Sequence, residues 1–280
     1  MKKGKRNYPL TPKHTFEETD MSKIKITAVS YLNTKPLLYG LLQHPVAEQI
    51  DLSLDIPSVC AKKLQSGEAD LGLVPIAVLP EIPEAVIISD YCIGTNRSVK
   101  TVGIYADRPI EELTDIYLDH HSRTSVALTK VLLRDHWHLS PNLIPATDGY
   151  IQKIGGTVGG VVIGDRTIGL EERFNFFYDL GEAWYDFQHL PFVFAAWVSN
   201  RPIDPAFLKM FNEALGNGVR AIPQLMYLLT TPQPSFDLEK YFTRNINYEL
   251  DAPKKQALEI FLGMLAREQN HPILKPQFVH

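Results

Sequence analysis

From Lys23 onward, short β-branched runs alternate with segments of helical period, and this alternation limits the fold more than any other feature. The strand candidates are "KIKITAVS", "DLSLDIPS", "ADLGLVPI", "AVIISDYCIG", "KTVGIYA", "DIYLD", "GGVVIGD" and "FVFAAWVS". Between or after them lie the helix candidates "TKPLLYGLLQH", "SVCAKKLQSGE", "TSVALTKVLLRDHW", "DPAFLKMFNEALGNGVRAIPQLMYLL" and "APKKQALEIFLGMLAREQ". Strands that alternate with helices form mostly parallel sheets flanked by helices, so the chain is of the α/β class. In the second helix Val59, Ala61 and Leu64 share a face, Ser58 is a candidate N-cap, and Gly67 marks the end.

A chain of 280 residues has room for one large domain or two ordinary ones. The order of elements favours two. One α/β lobe is expected from residues 23–102 together with 193–280, and a second from 103–192. The polar stretch "TNRSVKT" makes the crossing, and a ligand cleft lies between the lobes. After the last strand candidate the pattern is helical to the end. Residues 1–22 are polar and without periodicity, and are expected to be a flexible extension outside the fold. A single doubly wound domain also fits the alternation.

Net charge is -4, so no basic field attracts nucleic acid or an anionic membrane surface, and any anionic ligand must be held by local groups. Cys60 and Cys92 are far apart and lack a CxxC or a nearby histidine, which argues against a zinc site and a disulfide framework and leaves reduced, partly buried thiols. No apolar run follows the positive start, and none reaches the roughly 18 residues that cross a bilayer, so the expected compartment is the cytoplasm.

Candidate chemistry gathers at strand-to-helix corners, where helix N–H groups lack intrahelical partners. The first corner, "TAVSYLNTKP", offers Ser30, Asn33 and Thr34. Pro36 suits a first helical turn, and Asn33 or Thr34 can equally serve as a simple cap. The second, "LDHHSRTSVALTKVLL", brings Ser122, Arg123, Thr124 and Ser125 to a helix start. These suit a carboxylate or phosphate, or else make a capping box with a surface arginine. At the third, "GVVIGDRTIGL", Asp165 is a ligand contact or an N-cap. The glycines of "GGTVGG" lack phosphate-loop spacing and read as a turn. His120 and His121 are neighbours that do not share a face, and read as loop or surface residues. The aromatic run "GEAWYDFQHLPFVFAAW" reads as core, with one ring available to wall an apolar pocket.

With these stretches in view, the chain resembles the chorismate dehydratase family of the futalosine route to menaquinone. The likeness rests on "SYLNTKPLLYGL", "SGEADLGLVP", "SRTSVALTKVLL", and "VVIGDRTIGL" followed by "DLGEAWYDFQHLPFVFAAW", and extends through "KYFTRNINYELDAPKKQALEIF". The resemblance implies a two-lobed fold like that of type II periplasmic binding proteins, used inside the cell as an enzyme. That enzyme removes water from chorismate without a metal or other cofactor. It further implies Asn33 as the active-site asparagine, Ser30 as a loop position that is not always serine, Ser122 to Ser125 as the anion-binding turn, and Thr101 as a hydroxyl position after "CIG". "TNRSVKT" and "GGTVGG" depart from the family pattern and bear on the hinge. A solute-binding protein for a small carboxylate is the alternative from another class.

Overall fold

The computed structural model describes residues 23–269 and 275–279; the extension expected at 1–22 lies outside them. The chain first lays down β1 (Ile24–Val29), α1 (Lys35–Gln43), β2 (Ile50–Asp55), α2 (Pro57–Gln65), β3 (Leu71–Pro75) and β4 (Val86–Thr95). It then forms β5 (Val102–Ala106), β6 (Asp115–Leu118), α3 (Arg123–Asp135), β7 (Asn142–Pro145), β8 (Val158–Ile163), β9 (Phe176–Asp179) and α4 (Leu180–Gln188). The return consists of β10 (Phe192–Ser199), α5 (Pro205–Arg220), α6 (Ile222–Leu228), α7 (Leu238–Lys240), β11 (Asn247–Glu249), α8 (Ala252–Gln269) and β12 (Gln277–Phe278).

These strands form two sheets. The first has the order β11-β4-β10-β3-β1-β2, with β12 beside β4, and the second has the order β7-β6-β8-β5-β9. Pairs joined through crossover helices, such as β1 with β2 and β3, are parallel. Where the chain passes between sheets it pairs antiparallel, as β10 does with β3 and β4 and β5 does with β8 and β9. The parallel character expected from the alternation therefore holds on one side of each sheet.

Local chemistry explains most boundaries. Pro36 and Pro57 stand in the first turns of α1 and α2, where a missing N–H leaves no bond unmade. At α2 this displaces the expected cap: Ile56, not Ser58, holds the N-cap position and offers no side-chain bond. Ala61 and Leu64 are buried as expected, joined by Cys60, while Val59 is half-buried. Cys60 and Cys92 are fully buried rather than partly so, and burial pushes their thiols up to about 11 and about 12. The long helix pattern after residue 204 breaks at Ala221, where α6 restarts with Pro223 in its first turn. Downstream, β11 and β12 are strands in a segment whose pattern reads as helical, held there by pairing with β4.

Candidate active site

Strand ends from both sheets converge on one small cavity. From the first sheet come Val29, Tyr31 and Asn33 at the end of β1, Pro75 at the end of β3, and Ile93 and Phe194 from β4 and β10. From the second come Ser122 and Ser125 at the start of α3, and Ile163 and Gly164 at the end of β8; the crossing segment adds Val99 and Val102. The free space is about 40 Å³, far below the roughly 300 Å³ of the smaller ligand pockets. This arrangement of the two lobes leaves no room for a ring-sized molecule.

Contacts between the lobes close around this space. The backbone N–H of Leu32 donates to both carboxylate oxygens of Asp165, at 3.0 and 3.2 Å. Tyr31 Oη and His121 Nδ1 share a hydrogen bond of 2.7 Å, and their rings lie nearly parallel. Ala77 N–H donates to Thr124 Oγ1 at 3.2 Å, and Arg123 forms a two-pronged ion pair with Glu81. Gly164 adopts a left-handed φ of 65°, and a Cβ there would lie 2.9 Å from the Tyr31 ring. Only glycine meets both demands.

The expected site residues divide accordingly. Asn33, Ser122 and Ser125 line the cavity. The Oδ1 of Asn33 accepts from Thr34 Oγ1 at 3.1 Å, which leaves its Nδ2 without a hydrogen bond among the described residues. Ser122 caps α3 through its Oγ, which accepts from Ser125 N–H at 3.2 Å and lies 3.0 Å from Ser125 Oγ.

The other expected residues face elsewhere. Thr34 is fully buried but makes no cap bond to the helix it precedes, and Ser30 is exposed, with its N–H donating to Asp55 O. Thr101 is buried with its hydroxyl engaged by Tyr241 at 2.9 Å, away from the cavity lining. Arg123 turns outward to Glu81 and Thr124 joins the lobes, because side chains one position apart on a helix start point in different directions. Asp165 is a bridge between lobes rather than an N-cap, since Ile163 holds the cap position of its turn. Desolvation pushes its carboxyl above the ordinary value, against the pull of the Leu32 N–H and Lys35. Of the aromatic run, Trp184, Phe192 and Trp197 are buried core, and Phe194 walls the cavity.

Three residues at this meeting of the lobes are not among the site residues expected from sequence: Tyr31, Arg166 and His121. His121 is not a plain loop residue, for it meets Tyr31 across the cleft. Beneath this pair, fully buried Asp119 accepts from Arg166 Nη2, Tyr150 Oη, and the N–H groups of Ile163 and His121. Burial pushes the Tyr31 phenol up to about 12, although the nearby Arg166 guanidinium pulls it back. Burial and then Arg166 hold His121 below the ordinary imidazole value, with Asp119 opposing. Position is the signal the sequence carries, since Tyr31 lies two residues before Asn33 and Arg166 directly after Asp165.

Two lobes closing on a polar-tipped, apolar-walled cavity define the class: this is the two-lobed fold of periplasmic binding proteins. The chain belongs to the family described as menaquinone biosynthesis, whose pattern it matches over residues 24–267. It is 26% identical over 233 residues to the chorismate dehydratase of Thermus thermophilus, covering 75% of this chain and 84% of that one. Among solved structures it is similar to protein AF1704 from Archaeoglobus fulgidus, with a TM-score of 0.65, 15% identity, and 89% and 98% of the two chains covered. The alkanesulfonate-binding protein SsuA from Xanthomonas axonopodis pv. citri, bound to MOPS, matches with a TM-score of 0.58 and 14% identity, over 92% and 98%. No helix among the described residues is long and apolar enough to cross a membrane.

Proposed function

We propose that this protein is a chorismate dehydratase, a hydro-lyase of the futalosine route to menaquinone that works in the cytoplasm. It converts chorismate into 3-[(1-carboxyvinyl)oxy]benzoate and water. The observation that carries this reading is the cavity itself: apolar walls of Ile93, Val102, Ile163 and Phe194 suit a six-membered ring, with Asn33 at one strand end and Ser122 and Ser125 at the other.

Removal of H from C3 and OH from C4 makes the ring aromatic, so the protein has mainly to hold one conformation and receive the changing charge. No arginine or lysine among the described residues lines the cavity. The ring carboxylate is accordingly assigned to the serine hydroxyls and free N–H groups at the start of α3, where the helix dipole favours an anion. Asn33 Nδ2 orients the oxygen substituents. The enolpyruvyl carboxylate of the substrate takes the C3 proton, as no carboxylate, imidazole or amine among the described residues lines the cavity to do so. Residues 23–102 with 193–280 act as one lobe and 103–192 as the other, parting at Val99–Val102 to admit substrate.

The test is to mix pure protein with chorismate and follow the ultraviolet spectrum and product mass. One aromatic product per chorismate consumed supports the enzyme, and a thermal shift without product supports the solute binder. Asn33→Ala is expected to lower turnover by about 100-fold, and normal turnover in this variant removes Asn33 from the mechanism.

A further inference from the structure

We propose that Tyr31 is the general acid of this site, giving its phenolic proton to the departing C4 hydroxyl, with His121 holding the phenol oxygen in place. The assignment rests on the dehydratase reading above and adds the donor that reading lacks. An alcohol oxygen leaves poorly as hydroxide, and a positioned proton donor is the usual remedy.

The geometry supplies one donor. Among the described residues that line the cavity, Tyr31 is the one with an acidic side-chain proton of phenol or carboxyl type, and its oxygen lies 2.7 Å from His121 Nδ1. With the hydrogen on Nδ1, the imidazole donates to the phenol oxygen and leaves the O–H free to point at substrate. Asp119 Oδ1 accepts the backbone N–H of His121 at 2.9 Å and fixes the loop carrying the ring. Arg166, tied to Asp119, brings positive charge towards the oxygen that becomes phenolate. Gly164 lets the Tyr31 ring pack directly on the backbone of the second lobe, so the acid is in place only in the closed form.

The C3–H electrons form the C3=C4 bond, the C4–O electrons go to oxygen, and that oxygen takes the Tyr31 proton and leaves as water. The phenolate then recovers the proton that C3 gave to the enolpyruvyl carboxylate. Burial raises the Tyr31 phenol, so it holds its proton at neutral pH, and a phenol remains a stronger acid than water.

The experiment compares full-length wild type with Tyr31→Phe. The expected result is a kcat lower by about 100-fold or more, with chorismate binding by titration calorimetry unchanged. A C4-chloro analogue, whose chloride departs without a proton, should be converted equally by both proteins. In a second pair, His121→Asn, which keeps an N–H donor near the Nδ1 position, should retain most activity while His121→Leu loses it. Wild type that turns over while Tyr31→Phe keeps pace overturns this assignment alone, as does equal loss with chorismate and the chloro analogue. Wild type that makes no aromatic product overturns the dehydratase reading and this assignment with it.

Discussion

The carboxylate of Asp179 accepts the backbone N–H of Lys100 at 2.7 Å, joining the start of α4 to the segment that crosses between the sheets. The same carboxylate accepts from Ser98 Oγ and from the N–H groups of Val99, Gly181 and Glu182. Burial pushes Asp179 above the ordinary carboxylate range and these donors pull it back. Lys100 has a left-handed φ of 70°, which the surrounding bonds must enforce. Asp179→Asn turns an NH2 towards some of these donors and leaves buried N–H groups unpaired. The expected cost is about 3 kcal/mol, seen as a Tm lower by roughly 6–12 °C. An unchanged urea midpoint contradicts the role given to this residue.

Gly164 faces the Tyr31 ring, and its test separates closure from folding. Gly164→Ala meets an unfavourable left-handed φ, costing about 1–2 kcal/mol, and its methyl would press on the Tyr31 ring. The expected outcome is a modest fall in Tm with a much larger fall in kcat, since the ring is displaced from the closed site. Equal retention of both rules out the close approach.

The fold was legible because the hydrophobic periods of "KIKITAVS" and "SVALTKVLL" are local properties that the structure keeps. β7, β9, β11 and β12 were not legible, since these short strands exist through pairing that sequence periodicity does not record. At the site, Asn33, Ser122 and Ser125 could be read from their corners. Thr101 and Arg123 could not be placed, because whether a hydroxyl or guanidinium faces the cavity or a partner such as Tyr241 or Glu81 depends on long-range packing. Tyr31 and His121 lie 90 residues apart in sequence, and only the meeting of the lobes pairs them.

Stability below neutral pH should report on His121. Its folded-state value is held below 6.5 by burial and Arg166. The unfolded chain therefore takes up a proton first as pH falls. The stability from this group is present above about 6.5 and is lost as pH drops through the lower folded value. Asp165 has the opposite sign: its raised carboxyl favours the folded chain in acid, and that contribution is lost as pH rises through its folded value. Thermal melts from pH 7.5 to 4 should show a shallower acid decline for His121→Asn than for wild type, and a steeper one for Asp165→Asn. Parallel curves for all three contradict both signs.

Helices α1 and α5 meet backbone to backbone, and this contact sets where the first corner of the site lies. A Cβ on Gly40 would come 2.0 Å from Ala214 O and 2.7 Å from Gly218 N, and a Cβ on Gly218 would come 2.0 Å from Pro36 O. None of these neighbours is a flexible side chain, so the helices must separate. Gly40→Ala is expected to cost about 3 kcal/mol, at the upper end for overpacking, and to lower turnover because Tyr31 and Asn33 lie in the turn that leads directly into α1. Gly263, inside α8, provides the contrast: a Cβ there meets nothing within 4 Å. Gly263→Ala should therefore stabilise by about 0.5–1 kcal/mol through its better helix propensity, with turnover unchanged. Chemical denaturation of both variants beside wild type decides the matter, and Gly40→Ala matching wild type would show that α1 and α5 do not touch at these glycines.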